Sequence, residues 1–226
     1  MTHETSKPVD TQAMTDRKDQ VTGLETRLHA NGLVLLGSIV EGGRTRVMVG
    51  NAGSRMVPHV PGLPEADPRD DPVNRWTRQV MEPIAEEFGA TVSYPFDGPP
   101  WHPFVSWMLA TGQAFISPLG LAVHPRYGLW FALRAALLFD RVLVLDPPDA
   151  ASPCETCRDR PCLSACPVGA FTGTAYDAEG CRDHLATTAG DDCMTQGCRA
   201  RRACPVGTAW RYTPAHAGFH MRAFAR

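Results

Sequence analysis

The sequence predicts an α+β protein in two parts, a front of helices and strands over residues 21–148 and a small cysteine-rich rear over residues 149–226. Three observations lead to this reading. Two apolar runs, LVLLGSIV (33–40) and TRVMVGN (45–51), are strand-like and are separated by a Gly42-Gly43 turn. Val73, Trp76, Val80, Ile84 and Phe88 recur at steps of three and four, which makes one apolar helical stripe. All eight cysteines fall between Cys154 and Cys204, so the rest of the chain has no thiol.

Taken in order, residues 1–20 are polar, lack apolar periodicity and hold both lysines of the chain, Lys7 and Lys18. They read as a disordered tail or a remnant of expression or of an alternative start. Residues 22–30 read as a helix, followed by the two strands. The proline-rich stretch 58–72 is loop. Asp71 is placed as an N-cap with Pro72 at the first helical position, and Gly89 ends the helix that follows. Pro83 inside that helix should kink or shorten it. TVSYPF (91–96) is strand-like, DGPPWHP (97–103) a rigid turn, and residues 104–110 a short amphipathic helix. The apolar run 116–139 fits helix or strand by periodicity alone. Asp146-Pro147-Pro148-Asp149 is the natural linker.

Composition narrows the function classes. An apolar fraction of 43 % in 226 residues is enough to bury a core. A formal charge of −2 exerts no global pull toward nucleic acid or an anionic membrane. The sequence shows no signal peptide and no apolar stretch near the ~20 residues of a membrane span. A cytoplasmic location is therefore expected, where thiols stay reduced.

The thiols read Cys154-x2-Cys157-x4-Cys162-x3-Cys166-Pro167, then Cys181, then Cys193-x4-Cys198-x5-Cys204-Pro205, and CPVGAF at Cys166 is echoed by CPVGTAW at Cys204. Three chemistries use such thiols. A disulfide framework fits the even count but requires an oxidising compartment. Two four-thiolate zinc sites are open to a C-x2-C pattern, but zinc modules bring paired knuckles and lack the Cys-Pro endings. Iron–sulfur chemistry fits best, because two-cluster bacterial ferredoxins end their ligand runs in Cys-Pro and send the fourth cysteine of each run to the other cluster. Eight cysteines serve two [4Fe–4S] clusters with none left over. By the crossing rule, Cys154, Cys157, Cys162 and Cys204 form one set, and Cys166, Cys181, Cys193 and Cys198 the other. Arg199, Arg201 and Arg202 lie between two of these cysteines, either as a solvated loop tip or as a cationic patch for an acidic electron donor.

HPRYGLWFALRAALL (124–138), preceded by Gly120-Leu121-Ala122, resembles the HPRFGGWFAIRG signature of the cobalamin-processing B12 trafficking chaperones. The resemblance covers residues 21–145. The cysteine segment is similar to that of the cobalamin-dependent epoxyqueuosine reductases and reductive dehalogenases, which join a nitroreductase-like domain to a two-cluster ferredoxin module. The chain lacks the helical-repeat domain and basic surface stretch of epoxyqueuosine reductase, which counts against tRNA modification.

The resemblance implies a nitroreductase-like mixed or antiparallel sheet flanked by helices, with a ferredoxin-like module behind it. It also implies cobalamin bound base-off, with the backbone of Gly120, Leu121 and Ala122 near the cobalt face. Gly120 would sit in a strand where a side chain would block close approach. Tyr127, Trp130 and Phe131 would wall the pocket. Arg134, a charge inside an apolar run, would line the side where a small anionic ligand or thiolate sits. His124, before a proline, reads as a structural hydrogen-bonder.

The implied activity is that of an oxidoreductase, reductive removal of cobalamin's upper axial ligand (decyanation or dealkylation). A low-potential electron donor would supply it, and cobalamin-dependent enzymes would receive the product. One alternative is a corrinoid-dependent reductase of an organic substrate, with Tyr94, Asp97 or His102 as its acid. The other is a ferredoxin-type electron carrier.

Overall fold

The computed structural model describes residues 11–143, 145 and 150–226; the expected linker at 146–149 lies outside the described residues. A four-stranded antiparallel sheet organises the front, in the order β1 (Leu33–Glu41), β2 (Arg44–Ala52), β6 (Phe131–Phe139), β3 (Thr91–Ser93). Strand alternation puts Val47, Val49, Ala135, Leu137 and Phe139 on one face, against helices α1 (Thr11–His29) and α2 (Pro72–Phe88). Val34, Leu36, Met48 and Ala136 turn to the other face, against Phe104 and Met108 of α3 (Phe104–Ala110). The fold is thus α+β, with an antiparallel sheet flanked by helices.

Several elements depart from the sequence reading. Helix α1 begins at Thr11, so residues 11–20, expected in a tail, are helical; Met1–Asp10 lie outside the described residues. Helix α2 runs unbroken through Pro83, which is exposed, as is Gln79, whose carbonyl the proline leaves without a donor. Asp71 does occupy the N-cap position with Pro72 starting the helix, but it holds a left-handed conformation and its side chain makes no capping bond. Strand β3 stops at Ser93, two residues before Pro95, which has no N–H to give the ladder. The ambiguous run becomes β4 (Phe115–Ile116), β5 (Ala122–Val123) and β6, because Pro118, Gly120, Pro125 and Gly128 break it into turns.

Opposite the Val49–Gly50 step of β2, β6 carries one extra residue: Val49 pairs with Ala135 and Gly50 with Leu133. The residue left over is Arg134. A bulge of this kind re-aims the side chain it carries.

The rear consists of short helices, α4 (Pro161–Ser164), α5 (Ala178–Leu185), α6 (Asp191–Gln196), α7 (Arg199–Arg202) and α8 (Pro214–Phe224), with one isolated bridge, Phe171–Tyr176. It packs directly on the front. Leu119, Val123 and Leu129 share a buried cluster with Cys162, Ala200 and Cys204, and Phe219 of α8 enters the core beneath the sheet. The HPRYG turn docks backbone to backbone on the second CPVG loop. A Cβ on Gly128 would lie 2.1 Å from the Val206 carbonyl oxygen, and one on Gly207 would lie 2.3 Å from the Tyr127 carbonyl carbon. Both glycines also have positive φ, +59° and +67°.

Candidate functional site

The eight thiols are all unpaired and line two separate cavities. Cys154, Cys157, Cys162 and Cys204 line one, and Cys166, Cys181, Cys193 and Cys198 line the other. These are the two sets given by the crossing rule. Helix α7 joins them, since Cys198 precedes it and Cys204 follows it. Among the described residues, no three His, Cys, Asp or Glu side chains are grouped so as to hold a single metal ion; the sulfurs border a space.

Burial, and then the charges of Cys204, Cys162 and Cys157, push the Cys154 thiol up from its ordinary pKa. Burial likewise raises Cys162, Cys198 and Cys204, again with neighbouring thiols of the same set contributing. Thiols so placed ionise together only with a cationic centre between them. Each cavity also presents a buried polar atom with no partner, Ser117 Oγ in the first and His184 Nε2 in the second. In the second cavity the Ala170 N–H donates to Cys166 Sγ at 3.3 Å.

A third cavity, of about 360 Å3, opens between front and rear. Leu121, Leu129, Phe131 and Leu133 make its apolar wall, and Arg201, Tyr212 and His220 its polar one. Leu129 also lines the Cys154 cavity, so one side chain belongs to both spaces. Arg201 is fixed in this wall. Its Nε donates to the Leu129 carbonyl at 2.8 Å, its Nη2 donates to the same oxygen, and the guanidinium lies over the rings of Trp130 and Tyr212 at 4.8 and 4.5 Å.

Behind this wall is a buried polar chain. Arg134 Nε donates to Asn51 Oδ1 at 2.9 Å, and Asn51 Nδ2 donates to the Tyr212 hydroxyl at 3.2 Å. Arg134 Nη2 is buried with no partner, and among the described residues no carboxylate pairs with this guanidinium. Burial pushes its pKa down. On α8, His216 Nε2 meets His220 Nε2 at 3.0 Å, and His216 Nδ1 meets Ser54 Oγ at 3.0 Å. Burial first, and then the Arg134 charge, lower His216 to about 3 and His220 to about 2.

The expected cobalamin-contact residues are only partly brought together. Leu121, Ala122 and Phe131 line the third cavity. Trp130 is buried behind it, edge-to-face with Tyr212. Tyr127 lies elsewhere, in a wider cleft of about 830 Å3 along α1 and β1 that ends at the HPRYG turn. Gly120 is not in a strand. It occupies the turn between β4 and β5 at φ +73°, and a Cβ there would meet nothing within 4 Å, so the turn and not close packing asks for glycine. His124 Nδ1 accepts the N–H groups of Arg126 and Tyr127 at 3.0 and 3.4 Å, which holds the turn.

Tyr94 is a core residue, Asp97 pairs with Arg78, and His102 lies tilted against Trp107; none lines the cavities described above. Of the three clustered arginines, Arg199 and Arg202 pair with Asp192, and only Arg201 turns inward. Sequence reasoning missed Leu129, Tyr212, His216 and His220. The last three stand at steps of four, the one signal that could have flagged them.

No protein-family model matches the chain, and no curated protein sequence matches it. Among solved structures, the fold is similar to the crystal structure of a C. elegans B12-trafficking protein CblC, a human MMACHC homologue. The TM-score is 0.53 at 12 % sequence identity, over 94 % of each chain. The shared fold therefore extends past residues 21–145 into the cysteine-rich rear. No described helix is long and apolar enough to cross a membrane.

Proposed function

We propose that this chain is an oxidoreductase that binds cobalamin base-off and reductively removes its upper axial ligand. In this reading its electrons come through two [4Fe–4S] clusters, one held by Cys154, Cys157, Cys162 and Cys204 and one by Cys166, Cys181, Cys193 and Cys198. The observation that carries the reading is Leu129, the single side chain shared by a four-thiol cavity and the apolar cavity of Leu121, Ala122 and Phe131. An electron source and a ligand pocket divided by one residue suit a redox step on a bound ligand. The likeness of the fold to that of a B12-trafficking protein supports cobalamin as that ligand.

The residues fit the clusters. A cubane takes its thiolates at separate corners, so ligands that border a space are what it requires, and the unpartnered Ser117 Oγ and His184 Nε2 belong to residues lining the two spaces. Such donors, together with burial and net charge, set a cluster's potential. Clusters there would supply one electron at a time, refilled by an external low-potential donor. The chain's own residues do the rest. Leu121, Ala122, Phe131 and Leu133 exclude water from the ligand. Arg201, fixed by Leu129 and two rings, places a positive charge where the leaving ligand departs as an anion. Arg134 adds a second charge behind Asn51.

Anaerobically reconstituted protein should bind about four iron and four sulfide per cluster. Mixed with cyanocobalamin it should show the base-off spectral shift, and a low-potential reductant should then yield cob(II)alamin. No spectral change on mixing would sink the reading and leave an electron carrier.

A further inference from the structure

We propose that Ser54, His216 and His220 form a proton relay into the third cavity, with His220 as the acid that protonates the axial ligand as it leaves cobalt. The inference rests on the cobalamin reading above, but its geometry stands on hydrogen-bond logic alone. The Thr213 N–H donates to Ser54 Oγ at 2.8 Å, so the Ser54 hydroxyl hydrogen is free to go to His216 Nδ1. His216 Nδ1 is then an acceptor and its Nε2 carries the hydrogen. That hydrogen points at His220 Nε2, which must accept it. The proton of neutral His220 is thereby forced onto Nδ1, which makes no hydrogen bond among the described residues, on a side chain that lines the cavity. The order runs one way, from Ser54, which is only partly buried, to the ligand pocket. Burial and the Arg134 charge keep both rings neutral, as a relay of this kind needs.

The step balances. In bound cyanocobalamin the cobalt–carbon bond breaks as a low-potential one-electron reductant takes Co(III) to Co(II). The bonding pair leaves on the cyanide carbon, which takes the Nδ1 proton of His220, so hydrogen cyanide departs. His220 Nε2 takes the proton of His216 Nε2, His216 Nδ1 takes that of Ser54, and water restores the hydroxyl. The rings exchange tautomers before the next turnover.

The test compares cyanocobalamin, whose ligand needs a proton to leave neutral, with aquocobalamin, whose water needs none, in single-turnover reduction by titanium(III) citrate. In His216→Phe the ratio of cyanide to water release should fall about 100-fold, the lower end of a general acid's contribution. The normal solvent deuterium isotope effect on cyanide release should vanish with it. Ser54→Ala, the milder change, should lower the same ratio in the same direction. Nitrogen-15 NMR of the ligand-free wild type should show His216 protonated on Nε2 and His220 on Nδ1. The opposite tautomers, or an unaltered ratio in both variants, would overturn the relay while leaving cobalamin binding intact. A wild type that gives no base-off shift would remove the relay and the reading beneath it together.

Discussion

Gly207→Ala should loosen the rear of the molecule from its front. The residue has φ +67°, and its new methyl would sit 2.3, 2.4 and 2.6 Å from the carbonyl carbon and oxygen of Tyr127 and the nitrogen of Gly128. All three are backbone atoms, so no rotamer change relieves the clash. The left-handed conformation costs an alanine about 1–2 kcal/mol. Forcing an extra carbon into close-packed backbone adds about 1–3 kcal/mol. Together these approach about 2–5 kcal/mol, against a typical total of about 5–15 kcal/mol. Gly120→Ala is the internal control, since φ is +73° there but the methyl would enter open space; only the conformational cost of about 1–2 kcal/mol applies. Urea unfolding followed by tryptophan fluorescence, with a slope of roughly 3 kcal/mol/M, should move the Gly207→Ala midpoint down by about 0.7–1.7 M. The Gly120→Ala midpoint should move by about half a molar. Equal shifts in the two variants would refute the docking of the HPRYG turn on the CPVG loop, and with it the placement of Leu129 between the two cavities.

Cys204→Ala should lose the iron of one site and keep the other, and Cys181→Ala should do the converse; iron analysis and EPR would expose a single shared site if either variant lost everything. Ala132→Trp, at the third cavity, should abolish the base-off shift while the visible absorbance of the thiol-bound iron persists. His124, His216 and His220 have folded pKa values of about 4, about 3 and about 2, below the ordinary 6.5. Below pH 6.5 the unfolded chain binds more protons than the folded one. Stability should therefore fall as pH drops from 6.5 toward 4, on the order of 1 kcal/mol per unit for each buried imidazole. A urea midpoint that stays flat across that range would contradict it.

How much of this could be read in advance depends on how local the cause is. The hairpin strands, α3 and the stop of α2 at Gly89 follow from short-range pattern and turn chemistry, and the sequence placed them well. The grouping of the thiols was also legible, because the Cys-Pro repeat carries its own crossing rule. The run 116–139 was not legible, since periodicity is blind to the two Pro and two Gly that cut it. The family resemblance puts Gly120 in a strand, whereas its positive φ belongs to a turn. Arg201 looked like its neighbours Arg199 and Arg202; only Asp192, which holds those two, and the Leu129 carbonyl, which takes the third, separate them. His216 faces a serine distant in sequence, Ser54, and His220 faces His216, a meeting that no local signal announces.

The exchange of cysteines between the two runs has a consequence for assembly. Cys204 completes the cavity begun by Cys154, and Cys166 completes the one that centres on Cys193 and Cys198. Neither set is contiguous, so each is complete on a nascent chain only when its own last cysteine, Cys198 or Cys204, has been made and has folded back. A chain truncated before Cys204 holds seven of the eight thiols yet only one finished quartet. Filling the two sites would cross-tie the same stretch of backbone twice, like a pair of interlocked clasps, and opening either would strain the other through helix α7. If the two sites take the clusters proposed above, the loaded protein should outlast the empty one by a slower rate of unfolding, and cluster delivery would be the final step of folding itself.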